Sequence, residues 1–284
     1  MNRNMPVNAS VAPFVSASDL AEWQKTIGRT ETRTEVLGAE PLRRFALATG
    51  APDDVEHRSP PLGHWAFFPP HARDSEIGPD GHPRRGDFLP SVSLPRRMFA
   101  GGTIRFDSPL ILGSEADQVS RIAGVSHKRG RSGDLVLVEV DRTIEQAGRA
   151  CIRERQRYLY RANGPPIEMP VCASHRPAGE IWQPDEVNLF RFSAATFNGH
   201  RIHYDLPYAR EAEGYPALVV QGPFTASRLA AFAMQAGSLA QFSFQARAPL
   251  FLSQPIYLRG AGVNVVEAVR CDGEVAMRAD FVPA

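Results

Sequence analysis

The sequence repeats two short patterns, in the same order and at nearly the same spacing. Residues 44–49 (RFALAT) resemble residues 191–196 (RFSAAT), 147 positions later. Residues 109–112 (PLIL) resemble residues 249–252 (PLFL), 140 positions later. One short match arises easily by chance, but two matches in the same order indicate a duplicated unit. The 284 residues are enough for two domains of ordinary size, so we predict two copies of one fold in a single chain.

Each of the two Pro-Leu blocks is followed by runs that favour antiparallel strands. Such runs occur at residues 134–140 and 150–160 in the first half, and at residues 255–259, 263–266 and 274–279 in the second. Apolar and polar residues alternate in them, β-branched residues are frequent, and turn signals separate them. The predicted unit is therefore one helix followed by several antiparallel strands that wrap around it, which is an α+β arrangement.

A stretch without periodicity separates the two predicted units. Residues 163–184 are rich in proline and glycine, which predicts a linker or a crossing loop. We accordingly assign residues 17–162 to the first unit and residues 185–284 to the second.

A second irregular stretch lies inside the first unit, at residues 59–95. It contains two Pro-Pro pairs and, close together, the aromatic residues Trp65, Phe67 and Phe68. These side chains either line a substrate pocket or pin a long loop to the core, and the sequence does not decide between the two.

The richest group of reactive side chains is a polar turn in the second half. Residues 196–205 (TFNGHRIHYD) place the amide of Asn198 and the imidazole of His203 in an otherwise apolar neighbourhood. Imidazole titrates near neutral pH, so His203 is a candidate general base. Asn198 cannot titrate, but its carboxamide can position a water molecule through hydrogen bonds.

Further along, an apolar segment leads into Gly222 and Pro223, and a helix-like sequence follows over residues 224–235. Proline suits the first turn of a helix, and glycine lets a ligand come close to the backbone. Amides at a helix N-terminus stabilise negative charge on an oxygen atom. Together with His203, this arrangement predicts chemistry on a carbonyl compound.

These motifs resemble the MaoC-like (R)-specific enoyl-CoA hydratases and 3-hydroxyacyl-thioester dehydratases. That family has an Asp-x-Asn-Pro-(Ile/Leu)-His-x-Asp turn and, later, a strand that ends in His-Gly. By this resemblance His203 corresponds to the catalytic His, and Gly222 to the glycine whose N–H binds the thioester oxygen. Two positions differ, because Asn198 replaces the catalytic Asp and Gln221 replaces the His before the glycine. Residues 197–205 are most similar to the subgroup of mesaconyl-C4-CoA (itaconyl-CoA) hydratases and type 2 3-hydroxyacyl-thioester dehydratases.

The resemblance implies a double hot-dog fold, with two antiparallel sheets each wrapped around a central helix. It implies reversible hydration of an enoyl-CoA, best matched by mesaconyl-C4-CoA or itaconyl-CoA giving citramalyl-CoA. No cofactor is expected beyond the coenzyme A that belongs to the substrate, and no metal is expected. A homodimer is compatible with the resemblance.

Aligning the two halves also predicts where the chemistry lies. If Arg44 corresponds to Arg191, Asn198 faces Ala51 and His203 faces Glu56. The first half has therefore lost the amide and imidazole pair. We expect one active site per chain, with its catalytic residues in the second unit and a wall of the acyl pocket in the first.

The identity of the acyl group stays open at this stage. A dicarboxylic acyl group calls for an arginine, and Arg201, Arg97 and Arg44 are candidates. Gln221 and the aromatic residues of the irregular stretch are further candidate substrate contacts. A fatty 3-hydroxyacyl-thioester dehydratase is the main alternative. A hot-dog thioesterase is disfavoured because Asn198 provides no carboxylate, and a non-catalytic acyl-binding protein is disfavoured because His203 and Gly222 are both retained.

Composition excludes several other classes of function. The net charge of +1 provides no field for nucleic acid or an acidic membrane surface. No apolar run is long enough to span a bilayer, and no secretory signal is evident at the N-terminus. The three cysteines are widely spaced, which suggests neither a disulfide framework nor a zinc site. A reducing, cytoplasmic location is therefore expected.

Overall fold

The computed structural model describes residues 15–130 and 133–284. We predict no secretory signal at the N-terminus, and most of that segment lies outside the described ranges. Within them, no helix is long and apolar enough to cross a membrane. The first unit contains α1 (Ala17–Gln24), β1 (Thr30–Val36), α2 (Ala39–Thr49), β2 (Arg96–Phe106), β3 (Glu115–Gly130), β4 (Gly133–Gln146) and β5 (Arg149–Arg161). The second contains β6 (Glu180–Trp182), α3 (Glu186–Thr196), α4 (Leu206–Glu211), α5 (Gly222–Ala233), β7 (Leu239–Ala246), β8 (Ile256–Gly260), β9 (Val265–Val269) and β10 (Val275–Pro283).

All ten strands form one continuous antiparallel sheet in the order β1-β3-β4-β5-β2-β7-β10-β9-β8-β6. Read from either edge, this order gives the same sequence of equivalent strands, and the two five-stranded halves meet at the β2–β7 pair. The double hot-dog predicted from the sequence is confirmed. The structure adds that its two sheets are joined edge to edge.

The helices α2 and α3 confirm the duplication. They have the same length and start 147 residues apart, the offset of the first sequence match. Phe45 and Phe192, which are equivalent by this offset, are both fully buried, with ring centroids 5.9 Å apart. The duplicated residues therefore contact each other where the two units meet.

Only the second unit keeps the long central helix. There α5 packs on the sheet, and the residues from Gly222 confirm the predicted helix start. In the first unit the matching stretch between α2 and β2 forms only short 3-10 turns, at Gly63–Ala66 and Asp74–Glu76. Its Pro-Pro pairs cannot continue a helix. The first sheet is therefore covered by a loop, and we call residues 59–95 the covering loop.

Aromatic packing fixes the position of α5. The Phe224 ring stacks on Phe192 of α3 at a centroid distance of 4.8 Å, and it meets the edge of Trp182 at 4.9 Å. Such pairs each contribute about 0.5–1.5 kcal/mol beyond their buried area. The N-terminus of α5 is thus held close to the end of α3.

The expectation that the cysteines form no disulfide is wrong. Cys172 and Cys271 form a disulfide, with Cα atoms 4.6 Å apart, although 99 residues separate them in the sequence. Spacing along the chain could not reveal this pair, because it depends on the segment after β5 passing beside the end of β9. The strand β6 also lies inside the range assigned to the linker and pairs with β8.

Candidate active site

A cleft of about 1680 Å³ lies between the two units. Its lining comes from the covering loop, from strands of the first unit, from the turn that follows α3, and from the start of α5. The cleft occupies the side of the first sheet that a central helix would otherwise fill. Loss of that helix therefore creates the space in which a ligand can bind.

The polar turn begins where α3 ends. Phe197 adopts a left-handed conformation with φ of 51°, and the N–H of Asn198 donates to Ser193 O at 2.8 Å. The Asn198 Oδ1 then accepts the N–H of His200 at 3.1 Å. These local bonds fold the chain back so that Asn198 and His203 both line the cleft.

His203 is held in one orientation by a single backbone bond. Its Nδ1 lies 2.7 Å from Val219 O, and because a carbonyl can only accept, Nδ1 carries the hydrogen. The Nε2 atom is then the ring nitrogen with a free lone pair. Burial and, to a smaller extent, the neighbouring His200 lower the pKa of His203 to about 3, although the bond to Val219 opposes the shift. The imidazole is thus neutral near pH 7 and able to accept a proton.

Asn198 offers its amide nitrogen to the cleft. Its Oδ1 is already bonded to the backbone N–H of His200, whereas Nδ2 has no hydrogen-bond partner within the described chain. An NH2 group placed in this way can donate to the oxygen of a water molecule. It cannot take up a proton, so any general base at this site has to be another group.

Gly222 is the first residue of α5, and its amide is available to a ligand. Gln221 at the N-cap makes no side-chain capping bond, and the amides of the first helical turn have no partner within the helix. A Cβ added at Gly222 would meet only Phe99 O, at an ordinary 3.6 Å. Packing within the protein therefore does not require a glycine here, which leaves the approach of a ligand as the reason for it.

Two of the residues expected to contact substrate lie elsewhere. Gln221 is fully buried, and its amide donates to Leu189 O at 2.8 Å and to the Ser193 hydroxyl at 2.9 Å. It ties α5 to α3 and does not line the cleft. Arg201 is paired with Asp205 at 2.7 Å and likewise lies outside the cleft lining.

Four of the expected contacts do line the cleft, namely Arg97, Trp65, Phe67 and Phe68. Trp65 is fixed by a bond from its Nε1 to Glu154 at 3.0 Å, and its ring meets the edges of Phe99 and Phe244. Phe67 and Phe68 are more than nine-tenths buried. These aromatic side chains thus both pack into the core and border the cleft, which combines the two alternatives that the sequence left open.

Sequence reasoning missed a row of three histidines. The His200 ring lies 5.3 Å from the His203 ring and 4.4 Å from that of His82 in the covering loop. His200 Nε2 is also 3.1 Å from Glu213 Oε1, and both side chains are buried. The row joins the polar turn to the covering loop.

A contact between two glycines brings His82 to this place. Gly81 and Gly199 approach so closely that a Cβ on either would collide with the other's carbonyl oxygen. Beside them, the N–H of Arg201 donates to Asp80 O at 2.9 Å. A glycine next to a histidine in each segment was the only trace of this contact in the sequence.

Comparison with known proteins finds similar hydratases and dehydratases. The sequence model of the hydroxyacyl-thioester dehydratase type 2 family matches residues 61–252. A mesaconyl-C(4)-CoA hydratase from Chloroflexus aurantiacus is 42% identical over 272 residues, which cover 91% of this chain and 97% of that protein. The mitochondrial hydroxyacyl-thioester dehydratase type 2 of Schizosaccharomyces pombe is 24% identical, covering 68% of this chain and 74% of that protein.

Among solved structures, HtdX of Mycobacterium tuberculosis superposes with a TM-score of 0.69. The match covers 90% of this chain and all of that one, at 16% sequence identity. At this identity the likeness concerns the fold alone.

Proposed function

This chain belongs to the hydroxyacyl-thioester dehydratase type 2 family, and we propose that it hydrates a short dicarboxylic enoyl-CoA such as mesaconyl-C4-CoA or itaconyl-CoA. The product would be citramalyl-CoA. The observation that carries the proposal is His203, whose free Nε2 borders the same cleft as the open N-terminus of α5. The identity of 42% to a mesaconyl-C(4)-CoA hydratase along nearly the whole chain supports the choice of acyl group.

The proposed reaction needs one base and one oxyanion donor. His203 Nε2 takes a proton from water as the water oxygen bonds to the carbon β to the thioester. In mesaconyl-C4-CoA, whose double bond is conjugated with the thioester, the π electrons move toward the thioester oxygen, where the Gly222 N–H and the positive end of α5 stabilise the negative charge. The protonated His203 then returns its proton to the α carbon, which completes the addition of water. This scheme needs no cofactor.

Asn198 would position the attacking water in this scheme. We expect Asn198→Ala to lower kcat/KM about 10- to 100-fold, because the attacking water in the cleft loses its hydrogen bond to the Asn198 side chain. Asn198→Asp should stay within a few-fold of wild type, because a carboxylate can also bind the water and could accept its proton. Steady-state hydration kinetics measure both variants, with Asn163→Ala, in the exposed linker, as a control. Unchanged kinetics for Asn198→Ala would remove this residue from the mechanism.

A fatty 3-hydroxyacyl-thioester dehydratase remains the second candidate. One observation favours it: the first unit has no central helix, and the resulting cleft is large enough for a long chain. The cleft lining nevertheless contains several arginines and histidines, including Arg97 and His82. A purely hydrocarbon tail would leave the partly buried charge of Arg97 without a partner.

A substrate panel tests the proposal. Mesaconyl-C4-CoA, itaconyl-CoA, crotonyl-CoA and trans-2-decenoyl-CoA would be compared by chromatographic measurement of the hydrated acyl-CoA product. We expect the highest kcat/KM for a substrate that carries a carboxylate. A preference for decenoyl-CoA would favour the fatty acyl alternative, and failure to hydrate any of the four would refute the hydratase assignment.

A further inference from the structure

Three basic side chains meet in the cleft beside the histidine row, and the mechanism above uses none of them. They are Arg97 from β2 and two residues of the covering loop, His82 and Arg85. Arg97 and Arg85 both act electrostatically on His82, as do His200 and His203. The basic cluster of these three residues therefore borders the place where water would be activated.

Arg85 is held rigidly, and only neutral groups hold it. Its guanidinium donates to three backbone carbonyls, those of Val92 at 2.8 Å, Leu94 at 2.5 Å and Pro95 at 2.6 Å. It also lies over the ring of Tyr160, 5.0 Å from the ring centroid. Carbonyls and an aromatic face orient the group, while the carboxylates of Asp80 and Glu213 act on its charge only from beyond ion-pair distance.

Arg97 is directly opposite Tyr160 in the β2–β5 ladder, next to Arg85. Burial raises the pKa of Tyr160, so the phenol is neutral, and the positive charges of Arg97 and Arg85 beside it oppose that shift only in part. Within the described residues, no carboxylate lies within ion-pair distance of Arg97 or Arg85. Two like charges close together in a partly buried site are unfavourable unless an anion joins them.

The other arginines that line the cleft near carboxylates are already compensated. Arg33 pairs with Glu31 at 2.9 Å. Arg142 is opposite Glu154 in the β4–β5 ladder. Burial alone would raise the pKa of Glu154, but His64 and Arg142 outweigh it and lower that pKa, so the carboxyl is ionised. Arg33 and Arg142 thus add no unpaired charge to the cleft, whereas Arg97 and Arg85 do, as do Arg96, Arg161 and Arg247 of the lining, for which the described residues show no ion pair either. Arg97 and Arg85 are the arginines that act electrostatically on His82 of the histidine row.

The position of the cluster matches the chemistry of the proposed substrate. In mesaconyl-C4-CoA the free carboxylate is attached to the carbon that water attacks. When that carbon is placed at His203, its carboxylate must lie within a few bond lengths of the same imidazole. The negative carboxylate on that carbon also repels the attacking water as the water loses its proton. A neighbouring guanidinium therefore assists both the binding of the substrate and the attack of the water.

We infer that Arg97, Arg85 and His82 form the subsite that binds the substrate's free carboxylate, with Arg97 as the residue that determines specificity. The guanidinium of Arg97 can take both oxygens of a carboxylate in a planar, two-bond contact. Arg85 supplies a fixed second charge, and His82 supplies a ring N–H from the covering loop. This inference rests on the proposed hydratase function and adds the substrate class, enoyl thioesters with a carboxylate on the β carbon.

The test compares two substrates that differ in that carboxylate. Arg97→Gln should lower kcat/KM for mesaconyl-C4-CoA about 10- to 100-fold, the scale of a hydrogen bond to a charged group. Its kcat/KM for crotonyl-CoA, which lacks the carboxylate, should be unchanged or higher. His82→Ala should also lower the ratio of kcat/KM for mesaconyl-C4-CoA to kcat/KM for crotonyl-CoA, but by a smaller factor. Arg105→Gln is the matched control, since Arg105 is on the same strand, exposed, and paired with Asp107.

Each outcome separates the subsite from the hydratase function. If wild type hydrates neither substrate, the proposed function fails. A second outcome is that the wild type is active while Arg97→Gln lowers kcat/KM equally for both substrates and weakens inhibition by free coenzyme A. In that case Arg97 binds the coenzyme phosphates, and the inference is wrong. If Arg142→Gln changes the selectivity and Arg97→Gln does not, the carboxylate binds at Arg142 instead of at the basic cluster, and the inference is equally wrong.

Discussion

Replacing His203 with alanine should lower kcat/KM for enoyl-CoA hydration about 100- to 10,000-fold, the range for loss of a general base. The reason is that Nε2 of His203 is the proton acceptor whose orientation is fixed by the bond from Nδ1 to Val219. Turnover of mesaconyl-C4-CoA measures the effect. His57→Ala is the control, because His57 is an exposed histidine on the first-unit turn that corresponds to the polar turn.

The low pKa of His203 predicts how the activity and the stability of the protein depend on pH. Because the pKa of His203 in the fold is about 3, the imidazole keeps its free lone pair far below pH 6.5, and the rate should show no acid limb near 6.5. The unfolded chain binds this proton near its ordinary pKa, so His203 stabilises the fold fully above about pH 6.5 and progressively less as the pH falls toward 3. His203→Ala should therefore weaken the acid dependence of the melting temperature. Wild-type turnover in this variant would exclude His203 as the base.

Gly222→Pro should lower kcat about 100- to 1,000-fold, the effect of deleting one oxyanion donor. Proline removes the N–H of this residue alone, and it is accepted at the first position of a helix. In the wild-type protein Gly222 is the first residue of α5 and carries an N–H, whereas the following residue, Pro223, has none. Single-turnover hydration of crotonyl-CoA measures the loss without involving the carboxylate subsite.

Gly222→Ala serves as the matched control, since it adds a carbon but keeps the N–H. The protein has room for that carbon, so the unfolding temperature should not change, and any effect should fall mainly on KM through contact with the ligand. Equal loss of kcat in the proline and alanine variants, at unchanged stability, would mean that the Gly222 N–H is not the oxyanion donor.

Part of the site was accessible from local sequence. Asn198, His203 and Gly222 were selected because each belongs to a short pattern, a polar turn or a helix start, whose geometry depends on neighbouring residues. Trp65 and Arg97 were also placed in the cleft, but on weaker grounds. Gln221 and Arg201 were misplaced because a residue next to a site residue can point the other way, as Gln221 does toward α3.

The sequence by itself determined the duplication, the double hot-dog and the start of α5. All of these rest on periodicity or on patterns a few residues long. Only the tertiary structure decided that the first unit lacks its helix, that Cys172 and Cys271 are joined, and that His82 contacts His200. His82 and His200 are more than a hundred residues apart in the sequence. Contacts of this kind depend on how whole elements pack together, and no local pattern of residues encodes that packing.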